Sequence, residues 1–299
     1  MTIGQTAARL AAGLCLVAGL ATAQAAQAEL VKISDSFTIH YEQAGKGDIP
    51  IVFVPGWTMS TKVYARQLEH FAESERFRAI TYDPRGQGLS TKTLEGHYYQ
   101  QHGRDLAAFI DKLELSGVVL AGWSYGALDV MSYIDQFGAE NVKAVILIDG
   151  TPKSSGADNG TEWIWYRADD SDGFRQWFTM SPLLDRDAFG LDFAKWMLEE
   201  QSPEALTWAA EISLQTPGTV AALLNEAGAY LDYSEDLIAL EGRIPLLYAV
   251  REEWGAVVTA WAEQNTPSAQ IAAMGKHLMF WERAPAFNAL LDGFLAGVK

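Results

Sequence analysis

Apolar positions change their period along this chain in a regular way. Residues 37–45, FTIHYEQAG, alternate with period two and close on turn residues, whereas 49–56, IPIVFVPG, is a continuous apolar run, as in a strand covered on both faces. In TKVYARQLEHFAE, residues 61–73, Val63, Leu68, Phe71 and Ala72 recur at helical spacing. Strand FRAITYD, helix YYQQHGRDLAAFIDKLEL, strand GVVLAG, helix ALDVMSYIDQFG and strand VKAVILID follow in turn. After a long interval come strand IPLLYAV, helix VVTAWAEQ, a short strand around AQIAAM and a final helix, PAFNALLDGFLAG. Alternation of this kind predicts an α/β fold, a mostly parallel sheet with helices on both faces.

Two stretches depart from the alternation. Residues 151–240 are helical, uneven and rich in aromatics, and we read them as a helical cap inserted between a first core part, 29–150, and a second, 241–299. Residues 1–28 have one charge, Arg9, then LAAGLCLVAGLATA, then small residues. That is the three-part pattern of a secretory signal peptide, with cleavage expected after Ala25 or Ala28, and it is too short and too weakly apolar for a membrane span. Export to a periplasmic or extracellular location follows as an expectation.

Composition narrows the chemistry. About half of the 299 residues are apolar and a fifth are charged, which suits one large globular domain. The single cysteine, Cys15, lies in the leader, so a processed chain has no disulfide, thiol nucleophile or cysteine metal ligand. The formal charge of −16, with no Lys or Arg cluster, speaks against nucleic acid or an anionic membrane as partner. There is no H-E-x-x-H and no phosphate-binding loop, so neither a metal nor a cofactor is expected.

One polar residue interrupts the apolar pattern where it matters. In Gly122-Trp123-Ser124-Tyr125-Gly126 a buried strand enters and a helix leaves, so the serine stands on the turn between them. Glycines on either side permit a sharp, strained turn that lifts a hydroxyl above the carboxyl edge of the sheet, where ligands of open α/β sheets bind. A serine needs a neutral imidazole to take its proton. Of five histidines, His40 falls in a strand, His70 on a helix, and His97 and His102 at or near a helix start, while His277 follows the last strand beside Gly275.

These segments resemble the α/β-hydrolase superfamily, over about residues 31–299 apart from the cap. VFVPGWTMS, 52–60, is similar to the loop after the third strand, with Pro55-Gly56 where His-Gly is usual. YDPRGQGLS, 82–90, is similar to the structural D-x-R-G-x-G-x-S segment, and GKHLMFWE, 275–282, to the catalytic histidine loop. The resemblance implies a serine esterase with Ser124 as nucleophile and His277 as base, and an oxyanion hole from the backbone N–H groups of Trp57 and Tyr125. It leaves the acid open. The usual place after the seventh strand reads VREEWG, with Arg251 and Trp254 where Gly and Asp are common, and Glu252 and Glu253 out of register; Asp149, ending the sixth strand, is the other location known in the fold.

The expected activity is hydrolysis of a small or medium uncharged hydrophobic ester through an acyl-enzyme, with kcat/KM rising through a single ionisation within about a unit or two of the free imidazole value of ~6.5. Cap residues Trp163, Trp165, Trp177, Trp196, Trp208, Phe174, Phe178, Met180 and Met197 are candidates for the pocket wall, at least half of them serving as packing instead. A lactonase, amidase, acyltransferase or cofactor-free perhydrolase would use the same triad, and a binding module with the fold but no chemistry is the alternative of another class.

Overall fold

The computed structural model describes residues 26–299, so the expected signal segment lies outside the described residues but for its last three positions. Strands β1 (Gln27–Ser34), β2 (Phe37–Ala44) and β3 (Ile49–Val54) open the fold, followed by α1 (Ala65–Phe71), β4 (Phe77–Tyr82) and α2 (Tyr99–Lys112). Strand β5 (Val118–Trp123), α3 (Gly126–Phe137) and β6 (Val142–Ile148) complete the first half. The sheet runs β1-β2-β4-β3-β5-β6-β9-β10, where β9 is Leu246–Val250 and β10 is Gln270–Ala273. β2 pairs antiparallel with β1 and β4, and every pair from β4 to β10 is parallel.

The continuous apolar runs occupy the centre of this sheet. β5 and β9 are buried at every position and β3 and β6 at all but one, which requires cover on both faces. α2 packs on α3, and α1 on the C-terminal helix Ala284–Leu295. The edge strand β1 leaves no mark of its own in the apolar pattern: its burial alternates between exposed and half-buried, so its apolar content is low. It forms because β2 offers a free edge to pair with.

Between β6 and β9 the chain makes β7 (Lys153–Gly156) and β8 (Ile164–Arg167), a two-stranded parallel ribbon where the sequence suggested helix alone. Helices α4 (Ser171–Arg175), a π-helical turn Gln176–Met180, α5 (Ser181–Leu184), α6 (Arg186–Met197), α7 (Pro203–Leu214), α8 (Gly218–Gly228) and α9 (Ser234–Ile238) follow. After β9 come α10 (Gly255–Asn265), then β10, α11 (Met279–Glu282) and α12 (Ala284–Leu295). No helix of the described residues is long and apolar enough to cross a membrane.

Candidate active site

Ser124 stands between β5 and α3 at φ 55°, in the left-handed region that a residue with a Cβ rarely occupies. The flanking glycines are there for space. A Cβ on Gly122 would lie 2.5 Å from the Gly126 carbonyl oxygen, and one on Gly126 would lie 2.4 Å from that of Val54. Across the turn, a Cβ on Gly56 would come within 2.8 Å of Ser124 Cβ, so the loop after β3 touches the serine. Among the described residues four without glycine's freedom have positive φ, and three are Thr58 (63°), Ser124 (55°) and Asp149 (42°), all at this edge of the sheet. Strain of this kind persists where surrounding structure over-determines it, commonly at functional sites.

His277 is buried and lies in the loop after β10. Its Nδ1 is 2.5 Å from Asp149 Oδ2. Asp149 follows β6, fully buried, and its backbone N–H donates to Ala249 O at 2.7 Å, which ties the end of β6 to β9. Burial alone would raise the Asp149 pKa, but the Arg251 guanidinium and His277 hold it down at about 2, so it is a carboxylate. Nδ1–H therefore donates to Asp149, which leaves Nε2 as the bare acceptor. Burial lowers the His277 pKa to about 4; Asp149 opposes that shift and Arg251 adds to it. That places it at the acid edge of the range expected for a histidine base, because the sequence does not reveal its burial.

Neither Ser124 Oγ nor His277 Nε2 has a hydrogen-bond partner among the described residues. Catalytic hydrogen bonds of this sort often tighten only when substrate is bound. The indole N–H of Trp123, next to the serine, donates to the His277 carbonyl at 2.9 Å, so the strand that carries Ser124 anchors the histidine loop. The backbone N–H groups of Trp57 and Tyr125 likewise donate to no acceptor among the described residues. The Trp57 ring is a wall element, with Nε1 donating to Ala221 O at 2.8 Å.

The other candidates go elsewhere. Glu252 Oε1 accepts from Gly275 N at 3.3 Å and from Arg283 at 3.5 Å, and neither it nor Glu253 hydrogen-bonds His277. His40 pairs with Asp83, His102 with Asp129 and His70 with Asp292, away from Ser124. Asp83 also accepts from the N–H groups of Thr61 and Leu89, so the 82–90 segment knits loops together.

A narrow cavity lies at Ser124, walled by Trp57, Tyr125, Trp165, Phe174, Phe178, Phe193 and Asn225. Of the nine cap side chains singled out from the sequence, Trp165, Phe174 and Phe178 line it. Trp163 packs on Tyr248 and Trp261, Trp177 on Phe178 and Phe189, Trp208 stacks on Trp281, Met197 is buried, and Met180 is exposed. Trp196 instead stands 4.6 Å from the His277 ring. Phe193 and Asn225 carried no sequence signal beyond apolar or polar character on a helix. Nor did Arg251 announce its contact with Asp149, since that contact exists only through the pairing of β6 with β9.

A family profile described as alpha/beta hydrolase fold matches residues 49–287. A putative non-heme chloroperoxidase of Synechocystis sp. is 33% identical over 119 residues, 40% of this chain and 42% of that protein. A bifunctional esterase/perhydrolase of Acinetobacter calcoaceticus is 32% identical over 123 residues, 41% of this chain and 44% of that protein. The chain thus spans less than half the length of these curated relatives. Among solved structures, a bromoperoxidase from Bacillus anthracis superimposes with TM-score 0.79 at 25% identity, covering 90% of this chain and all of the other.

Proposed function

From the premise that this chain belongs to the alpha/beta hydrolase family, we propose that it is an exported serine hydrolase that cuts a small or medium, uncharged carboxylic ester. The single observation that carries the reading is the strained Ser124 set on the same sheet edge as the Asp149–His277 pair. Fold alone does not confer an activity, so the site has to supply it.

His277 Nε2 takes the Ser124 proton as Oγ attacks the ester carbonyl. The tetrahedral oxyanion is received by the N–H groups of Trp57 and Tyr125, donors already free of other partners. Asp149 keeps the imidazole in the tautomer that leaves Nε2 bare, and stabilises the imidazolium. The imidazolium returns its proton to the leaving alkoxide, and the alcohol departs. Water then attacks the acyl-enzyme by the same route, so ester and water yield acid and alcohol. The narrow, aromatic-walled cavity at Ser124 favours a short apolar acyl group. The segment 151–240 acts as the cap that excludes water from this cavity.

Labelling of the pure protein by a fluorophosphonate, with turnover of p-nitrophenyl acetate and butyrate, tests the reading. Both should be lost in Ser124→Ala; retained turnover in that variant, or an unreactive parent, overturns it. Peroxyacid formation from acetate and hydrogen peroxide is a second reading, favoured by the local similarity to a bifunctional esterase/perhydrolase. Export is tested by sequencing the N-terminus of the secreted protein. Cleavage after Ala25 would leave β1 whole, whereas cleavage after Ala28 would remove its first two residues, Gln27 and Ala28.

A further inference from the structure

Arg251 leaves β9 directly onto the triad carboxylate. Its backbone N–H donates to Asp149 Oδ1 at 2.8 Å, its Nε lies 2.9 Å from Oδ2 and 3.1 Å from Oδ1, and a terminal nitrogen approaches Oδ2 to 2.6 Å. That same nitrogen is 3.1 Å from His277 Nδ1. Nδ1 spends its proton on Asp149, so the guanidinium meets the imidazole as a neighbouring charge and makes no hydrogen bond to it. Three indoles enclose the guanidinium: Trp254 of the following turn at 4.3 Å, Trp196 of α6 at 5.1 Å and Trp165 of β8 at 5.4 Å. Two of them, Trp165 and Trp196, also face the His277 ring, at 5.7 and 4.6 Å.

We propose that Arg251 is a positioning residue of the reaction, a fixed charge that clamps Asp149 and opposes protonation of His277, so that the base stays neutral in acid. A fixed positive charge in a dry site acts strongly on a neighbouring proton equilibrium. Asp149 divides its charge between two cations when His277 is protonated, and between one cation and a neutral ring when it is not. The guanidinium therefore removes much of the stabilisation that a carboxylate normally gives an imidazolium. The downward shift of His277 has burial as its first cause, with Arg251 adding to it against Asp149. The remaining charges that reach His277 are at an outer pocket: Lys195 of α6, Glu253 of the turn after β9 and Lys276 of the histidine's own loop. Their signs partly cancel and none hydrogen-bonds Asp149 or the His277 ring. Glu252 is spent on Gly275 and Arg283. The tryptophans of the inserted segment make the clamp depend on that segment being seated, since Trp165 and Trp196 both belong to it.

The inference rests on the hydrolase reading only in its kinetic arm, so the test has two arms. In the first, the acid limb of kcat/KM for p-nitrophenyl acetate is compared in the parent, Arg251→Gln, Arg251→Met and Arg251→Lys. Gln and Met should move the limb up by at least about one pH unit, and Lys should restore it to within about half a unit. In the second, the His277 ring is titrated by NMR in the Ser124→Ala background, with and without Arg251→Gln, which requires no turnover. The same upward shift is expected. A uniform loss of rate with an unmoved limb marks Arg251 as purely structural and overturns the proposal, as does an unmoved ring titration in the folded protein. Should the Arg251 variants not fold, Trp254→Leu loosens the cage from outside the substrate cavity. It should move the ring titration in the same direction by a few tenths of a pH unit, and an unchanged titration there counts against the clamp. An inactive parent with a shifted ring titration would defeat the ester reading and leave the clamp standing.

Discussion

Asp149 and His277 are 128 residues apart in the chain and 2.5 Å apart in the fold. The contact is made at the ends of different strands, and the carboxylate reaches the imidazole from β6 while the turn after β9 supplies only a cation, Arg251. A left-handed backbone at Asp149, φ 42°, aims its carboxylate across to the histidine loop.

Removal of the charge with retention of shape tests that relationship. Asp149→Asn should lower kcat by at least ~10³, whereas Glu252→Gln and Glu253→Gln should each remain within about tenfold of the parent. Steady-state kinetics on p-nitrophenyl acetate checks all three, and a dead Glu253→Gln beside an active Asp149→Asn would move the acid to the turn after β9.

Strain at Ser124, the proposed nucleophile, predicts that activity and stability part company. Ser124→Gly should abolish turnover yet raise the unfolding free energy by about 1 kcal/mol, because glycine adopts positive φ without the penalty that serine carries here. Chemical denaturation of both proteins measures it, and a destabilised glycine variant would refute the strain at Ser124.

The pH profile follows from His277, whose pKa falls from the ordinary 6.5 to about 4. In the proposed mechanism its neutral form is the base, so kcat/KM should be level from about pH 8 to 6 and fall only near pH 4 to 5. Stability has the same sign. Between these two values the unfolded chain binds the proton and the native histidine does not, so the contribution is complete above 6.5 and is lost as pH drops towards 4. It is on the order of 3 kcal/mol. A kinetic midpoint near neutrality would refute this.

Contact between the β3 loop and Ser124 makes Gly56 intolerant. A methyl there would sit 2.8 Å from Ser124 Cβ, so Gly56→Ala must displace the loop carrying the Trp57 N–H. A loss of kcat of ~10² or more is expected with KM changed less, since a donor to the oxyanion acts mainly in the transition state.

Acyl-chain preference should answer to the cavity wall. Phe178 packs edge-on to Trp57 at 5.6 Å and lines the cavity. Phe178→Ala should shift the kcat/KM ratio of octanoyl to acetyl ester upward by about tenfold, as the vacated space admits more methylenes at ~0.8 kcal/mol each. An unchanged ratio would place the acyl group elsewhere.

By itself the sequence determined the order of strands and helices, because the central strands are buried on both faces and so must be apolar throughout, and the amphipathic helices repeat at helical spacing. It also displayed the Ser124 turn, since the clearance needed around that residue leaves only glycine at 122 and 126. It did not display β1, whose half-exposed alternation looks like any polar segment, nor the β7–β8 ribbon, whose four-residue strands are too short to show a period. Three carboxylates, Asp149, Glu252 and Glu253, were equally legible as residues, and the distance of each from His277 was not. That distance depends on parallel pairing between β6 and β9, where the Asp149 N–H is held by Ala249 and the Asp149 carboxylate by the N–H of Arg251. Tertiary structure alone placed a guanidinium, three indoles and an imidazole around one buried carboxylate, because residues from β6, β8, α6 and the loops after β9 and β10 converge only when the sheet has closed over its full width.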